Sequence, residues 1–177
     1  MSSGKTKKLC IIAMLMALTV VLSYLSGYMR IGTFMKFSVS FVSVYIAAAL
    51  YGPLAGGFVG AGADIISCFV FPMGTLVWEI TLIEGFYGIF YGLIFYRGRF
   101  FIKNIFQRVF IYSVVRFPVD LFIKTAVLSN YGYAPENYGA ALTTRMAGCL
   151  VMSIAMAVIL WVMEKFYTDK LIKMANM

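Results

Sequence analysis

Long apolar runs broken by short polar connections dominate this chain, and they predict helices that cross a bilayer. A spanning helix needs about 20 mostly apolar residues. The first run extends from about Leu9 to Gly27, followed by a polar, basic connection from Tyr28 to Thr33. The second is expected to begin near Lys36 and to end at Tyr51, Gly52 and Pro53. Its opening, Phe37 to Phe41, alternates as a strand would. A lone strand cannot satisfy its backbone in lipid, so helix is preferred. The third run covers about Leu54 to Phe71, a turn follows at Pro72, Met73 and Gly74, and the fourth covers about Leu76 to Tyr96. The fifth, roughly Asn104 to Leu128, is interrupted by Pro118, where a kink is expected. An outer loop from Ser129 to Tyr138 leads into the sixth, about Gly139 to Glu164. The pattern predicts an all-α integral membrane protein, a six-transmembrane-helix bundle forming a single domain over residues 1–177.

Helical spacing sorts several polar and small residues onto common faces. Lys36, Ser40, Ser43 and Ala47 share one face of the second span. Gly52, Gly56, Gly60 and Asp64 recur every four residues, so small side chains and one carboxylate line one face of the third. Glu84, Gly88 and Gly92 do the same on the fourth. Small residues at this spacing let membrane helices approach closely. Ala13 and Ala17 form another small pair, on the first span. It either seats that helix against a neighbour or offers a flat patch to another membrane protein.

Composition agrees with this picture. Hydrophobic residues make up 62% of the chain and charged ones 12%, with mean hydropathy +0.90. That leaves too little polar surface to cover a soluble globule. The net charge of +8 is concentrated in three places. Lys5, Lys7 and Lys8 precede the first span, Arg97, Arg99, Lys103 and Arg108 surround the fourth connection, and Lys165, Lys170 and Lys173 follow the last span. An even number of spans puts all three on one side, which the positive-inside rule makes cytoplasmic. Both termini are therefore expected in the cytoplasm, with Arg30 and Tyr131 outside, in a multi-pass protein of the cell membrane. The positive charge belongs to the bilayer rather than to a nucleic acid, for which no binding module is present. The basic start resembles a signal peptide but lacks a small-x-small cleavage site, so it is read as the retained first span. Cys10, Cys68 and Cys149 lie in three different apolar segments and suggest core fillers, neither a disulfide framework nor a metal site.

The chain has no histidine, which removes the commonest general base and metal ligand. A serine–histidine intramembrane protease is excluded, and no P-loop is present for ATP. No catalytic residue, metal or cofactor is predicted. What remains is a set of ionisable residues inside apolar helices, where they usually face a cavity or a partner. These are Asp64, Glu79, Glu84, Arg116, Asp120, Lys124 and Arg145. Arg116, Asp120 and Lys124 are spaced by four and can neutralise one another along one face. Asp64, Glu79, Lys124 and Arg145 come from four helices and all fall in the outer half, an arrangement that suits a ligand pocket. Of the aromatics at the outer boundary most fit the belt at the lipid interface, and Tyr131 is also a candidate for substrate binding. Trp78, beside Glu79, is placed in the pocket, where its indole could stack on a flat ligand.

The stretch from Ala13 to Ala17, and that from Lys36 to Phe41 opening the second span, resemble the S components of energy-coupling factor (ECF) transporters. Tyr51 to Gly57, Gly60 to Asp64 and Phe71 to Gly74 are most similar to the folate members of that family. The resemblance implies a vitamin-binding subunit without catalysis. Such a subunit takes its vitamin from outside and docks on a transmembrane T component driven by two cytoplasmic ATPases. It also implies that Ala13 and Ala17, which match the family's A-x-x-x-A motif, contact the T component. For a folate or pterin ligand, Arg30, Lys36 or Lys124 could meet carboxylates, and Asp64 could accept paired N–H donors from the pterin edge. Other vitamins, namely pantothenate, riboflavin and thiamine, fit the same family. From other classes, an intramembrane enzyme acting on lipid head groups through Asp64, Glu79 and Glu84, or a self-contained carrier, are the alternatives.

Overall fold

The computed structural model describes residues 3–28, 30–31, 35–36, 38–71, 76–96, 104–132 and 138–166. The apolar runs become helices α1 (Ser3–Tyr28), α2 (Phe41–Tyr51), α3 (Pro53–Val70), α4 (Trp78–Phe95), α5 (Ile105–Pro118), α6 (Lys124–Asn130) and α7 (Tyr138–Phe166). Among the described residues, four stretches are long and apolar enough to cross a membrane: Lys5–Gly27, Pro53–Val70, Trp78–Phe95 and Arg145–Phe166. α5 and α6 are parts of one rod, joined by a π-helical turn over Val119–Ile123 in which the Lys124 N–H donates to the Val119 carbonyl. Pro118 has no N–H and removes one rung of the ladder, and the ladder resumes in this wider turn. The interruption expected at Pro118 takes that form.

The start of the second helix departs from the sequence reading. Helix begins at Phe41, not near Lys36. Arg30–Ile31 (β1) and Met35–Lys36 (β2) form a short antiparallel pair, with Arg30 opposite Lys36. The Val39 N–H then donates to Ser26 Oγ at 3.2 Å, and the Ser38 and Ser40 hydroxyls bond each other at 2.7 Å. The Ser26 hydroxyl thus gives the Val39 N–H the partner a continuing helix would have supplied, and helix begins at Phe41. At 11 residues and 1.5 Å per residue, α2 is about 16 Å long, half a bilayer core. It ends at Gly52, whose φ of +95° favours glycine. Pro53 follows at the first position of α3, where no N–H is needed.

The two small-residue faces read from the sequence meet each other. A Cβ on Gly56 would collide with the Gly88 carbonyl, and one on Gly88 with the Gly56 carbonyl. A Cβ on Gly60 would lie 2.6 Å from the Glu84 carbonyl oxygen. Backbone-to-backbone approach of this kind replaces the hydrophobic drive that lipid cannot supply. One turn beyond Gly60, the same seam places Asp64 against Thr81.

The core sits where α2, α4, α5 and α7 converge and is aromatic: Tyr45, Tyr91, Phe95 and Tyr112 are each 1% exposed, beside Met156 and Leu160. Tyr91 and Tyr112 stack at 4.2 Å between ring centroids, and Tyr45 meets Phe95 edge-on at 5.1 Å. Arg108, expected with the loop cations, is buried instead. Its Nη1 lies 2.6 Å from Glu164 Oε1, and Tyr45 Oη donates to Glu164 Oε2 at 2.5 Å. This group ties α2, α5 and α7 at the end of the bundle where Lys8 lies over the Tyr51 ring and Lys165 over Trp161. A member of each of the three basic clusters, Lys8, Arg108 and Lys165, therefore lies at this end. Arg97, Arg99, Lys103, Lys170 and Lys173 lie outside the described residues.

Candidate ligand-binding site

At the opposite end, α3 finishes, α4 begins, α6 finishes and α7 begins, and their polar side chains fall into distinct groups. On α3, the half-buried Asp64 accepts a 2.6 Å hydrogen bond at Oδ2 from the buried Thr81 hydroxyl of α4. The bond closes one end of the glycine seam. It is the partner the spacing alone could not name, since threonine reads as neutral in an apolar helix.

Between α4 and the α5–α6 rod runs an ion network. Lys124 Nζ lies 2.6 Å from Glu84 Oε1 and 3.8 Å from Asp120 Oδ1, and Arg116 Nε lies 2.9 Å from Asp120 Oδ2. Two cations balance two carboxylates, which lets the group sit inside an apolar bundle. Tyrosines finish it: Tyr87 Oη donates to Asp120 at 2.9 Å, Arg116 Nη1 donates to Tyr112 Oη at 2.9 Å, and the Arg116 guanidinium lies 4.4 Å from the Tyr87 ring centroid. The expected pairing of Arg116 with Asp120 is present. Lys124, expected to meet a ligand carboxylate, already holds two internal ones.

At the rim, Glu79 is exposed and accepts hydrogen bonds at 3.2 Å on both carboxylate oxygens from Tyr131 Oη. That bond, with the neighbouring negative charge, raises the Tyr131 phenol above its ordinary value. The pair bridges the start of α4 to the end of α6. Trp78 stands beside it, 62% exposed. Arg30 and Lys36 are Cα partners in the β1–β2 pair, and their side chains lie outside the described residues. Arg145 begins the core-facing stripe of α7.

Three hydroxyls went unnoticed as candidates or were only placed on a face. Ser43, Ser67 and Thr125 carry buried oxygens that make no hydrogen bond among the described residues. Buried polar groups are ordinarily bonded, and hydroxyls in membrane helices usually return a bond to their own backbone, as Thr19 does to the Leu15 carbonyl at 2.7 Å. No sequence signal separates the two behaviours. On α1, Ala13 and Ala17 are exposed, flanked by the exposed Met14 and Leu18. The other side of α1 packs on α3, where Met16 covers Gly62.

The family model described as "ECF transporter, substrate-specific component" matches residues 7–177. The chain belongs to this family. This S component is also 31% identical over 75 residues to the folate transporter FolT of Clostridium novyi (strain NT). That alignment spans 42% of this chain and 44% of the relative. In fold, the S component is similar to a crystal structure of FolT bound with folic acid, with a TM-score of 0.72 at 21% identity, over 92% of this chain and 97% of that one.

Proposed function

We propose that this chain is the vitamin-binding subunit of an ECF-type importer, and that its vitamin is folate or a close pterin. The likeness to a folate transporter at 31% identity over 75 residues carries the choice of vitamin. In this reading six helical rods span the cell membrane, α2 and α5–α6 included, with both termini and the basic end in the cytoplasm. The outer half, built from Asp64, Trp78, Glu79, Tyr131 and Arg145 with Arg30 and Lys36 above, faces the incoming vitamin. Asp64 can accept from the pterin edge while Thr81 fixes its carboxylate. The chain performs no chemistry. It docks through α1 on a transmembrane T component worked by two cytoplasmic ATPases. The exposure of Ala13 and Ala17 supports that docking surface, because two methyl groups one turn apart leave a shallow groove into which another helix can settle.

The test separates capture from transport. Purified chain without ATPases is expected to bind folic acid, read by calorimetry and by quenching of Trp78 fluorescence. Ala13→Trp and Ala17→Trp should keep that binding but abolish uptake in cells that supply the T component and ATPases. Tight binding of pantothenate, riboflavin or thiamine in place of folate would sink the vitamin assignment, and turnover of a lipid by the purified chain would sink the subunit reading.

A further inference from the structure

Among the described residues inside the helices, the cations on the α5–α6 rod all have a carboxylate. Arg108 has Glu164, Arg116 has Asp120, and Lys124 has Glu84. Arg145 on α7 makes no hydrogen bond or ion pair among the described residues. An unpaired guanidinium in an apolar helix is costly wherever it cannot reach water or an anion, so its direction matters.

That direction is inward. Arg145 heads the stripe formed by Cys149, Met152, Met156 and Leu160, at the spacing of one helix face. Lower on the stripe, Met156 is 2% exposed and Leu160 is fully buried. The lipid-facing side is a different one, carrying Met146, Leu150, Val151, Ile154 and Val158, each exposed. Cys149 lies one turn below Arg145 on this stripe, and α7 packs against the π-helical turn that carries Asp120 of the ion network. That network is already balanced, two charges against two, and offers Arg145 no spare carboxylate.

We propose that Arg145 receives the carboxylates of the glutamate tail of the ligand, so that this end of α7 selects ligands with an anionic tail. The proposal rests on the folate reading and says which end of that ligand lies at α7. A planar fork of N–H donors matches a carboxylate in two parallel bonds, which a lysine ammonium cannot do. Lys124, neutralised from two sides, is not the anion receptor. The division leaves Asp64 and Thr81, at the outer end of the α3–α4 seam, for the pterin edge.

The experiment compares folic acid with its dimethyl ester, which keeps the skeleton and loses both tail charges. Wild-type protein should prefer the free acid by about tenfold or more, as expected when a charge-assisted bond is lost. Arg145→Gln should weaken the acid by about that factor, leave the ester within about twofold, and so erase the preference. Arg145→Lys, which keeps the charge without the fork, should fall between the two. A second readout needs no arginine variant: with Cys10 and Cys68 changed to serine, folic acid should slow modification of Cys149 by a thiol reagent. Equal weakening of acid and ester in Arg145→Gln would overturn the proposal, marking a packing role. An unchanged affinity for folic acid would overturn it too, leaving Arg145 to a lipid phosphate. Wild-type protein that binds neither form would refute the folate reading itself, an outcome visible before any variant is made.

Discussion

Replacing Lys124 by methionine asks whether that lysine serves the ligand or the fold. Its ammonium lies 2.6 Å from Glu84 and 3.8 Å from Asp120. With an effective dielectric constant of about 20, these separations correspond to gross attractions of about 6 and 4 kcal/mol, before desolvation is counted. The side chains of Lys124 and Glu84 are 19% and 32% exposed, so water and the cost of burial remove much of that. Breaking such a pair from one side costs about 3–5 kcal/mol when it leaves a charge stranded, and partial exposure puts Lys124→Met near the lower figure. Glu84→Gln should cost less, about 1–2 kcal/mol, because Asp120 still holds the ammonium. The double variant strands neither charge and should return to within about 1 kcal/mol of wild type, a strongly non-additive result. Reversible unfolding in mixed micelles, followed by circular dichroism, measures all three. Folic acid titrations on the same samples complete the test: binding lost in Lys124→Met should come back in the double variant. A double variant as unstable as the sum of its parts would refute the pairing argument. One that folds well but binds no folate would make Lys124 a ligand contact.

Two other predictions concern orientation and the α3–α4 seam. Tyr131→Cys should react with membrane-impermeant thiol reagents from outside the cell only, and reaction from the inside alone would end the proposed topology. Thr81→Val removes the donor that fixes Asp64, and Asp64→Asn removes the charge itself. Each should weaken folic acid by about 1–3 kcal/mol in calorimetry, whereas unchanged affinity with lower thermal stability would confine this bond to helix packing.

The helices were legible because lipid permits few solutions. A backbone in hydrocarbon must bond to itself, so an apolar run of sufficient length reads as helix almost without regard to its side chains. The glycine seam was legible for a related reason. Gly52, Gly56, Gly60 and Asp64 announce a face, and Glu84, Gly88 and Gly92 announce its partner, because only small residues allow backbones so near. Where side chains compete with the ladder, the reading failed. Ser26 takes the Val39 N–H ahead of Phe41, and its hydroxyl carries no periodic signature. The π turn after Pro118 was likewise visible only as an interruption.

Charges in the site follow a different logic. Spacing places two ionisable residues on one helix and can pair them, as it did for Arg116 and Asp120. It cannot rank partners on another helix, because the register between helices is set by packing of residues that have no charge. Glu84 and Lys124 meet because the glycine seam fixes α4 against α3 while Tyr91, Tyr112 and Phe95 fix α4 against α5. Arg108 meets Glu164 through the same aromatic core, though its place in a basic cluster suggested a loop. The consequence for function is a subtraction. Once internal pairs are set aside, Arg145 stands apart on an inward face, and the cation without a partner among the described residues is the one whose partner is expected to arrive from outside.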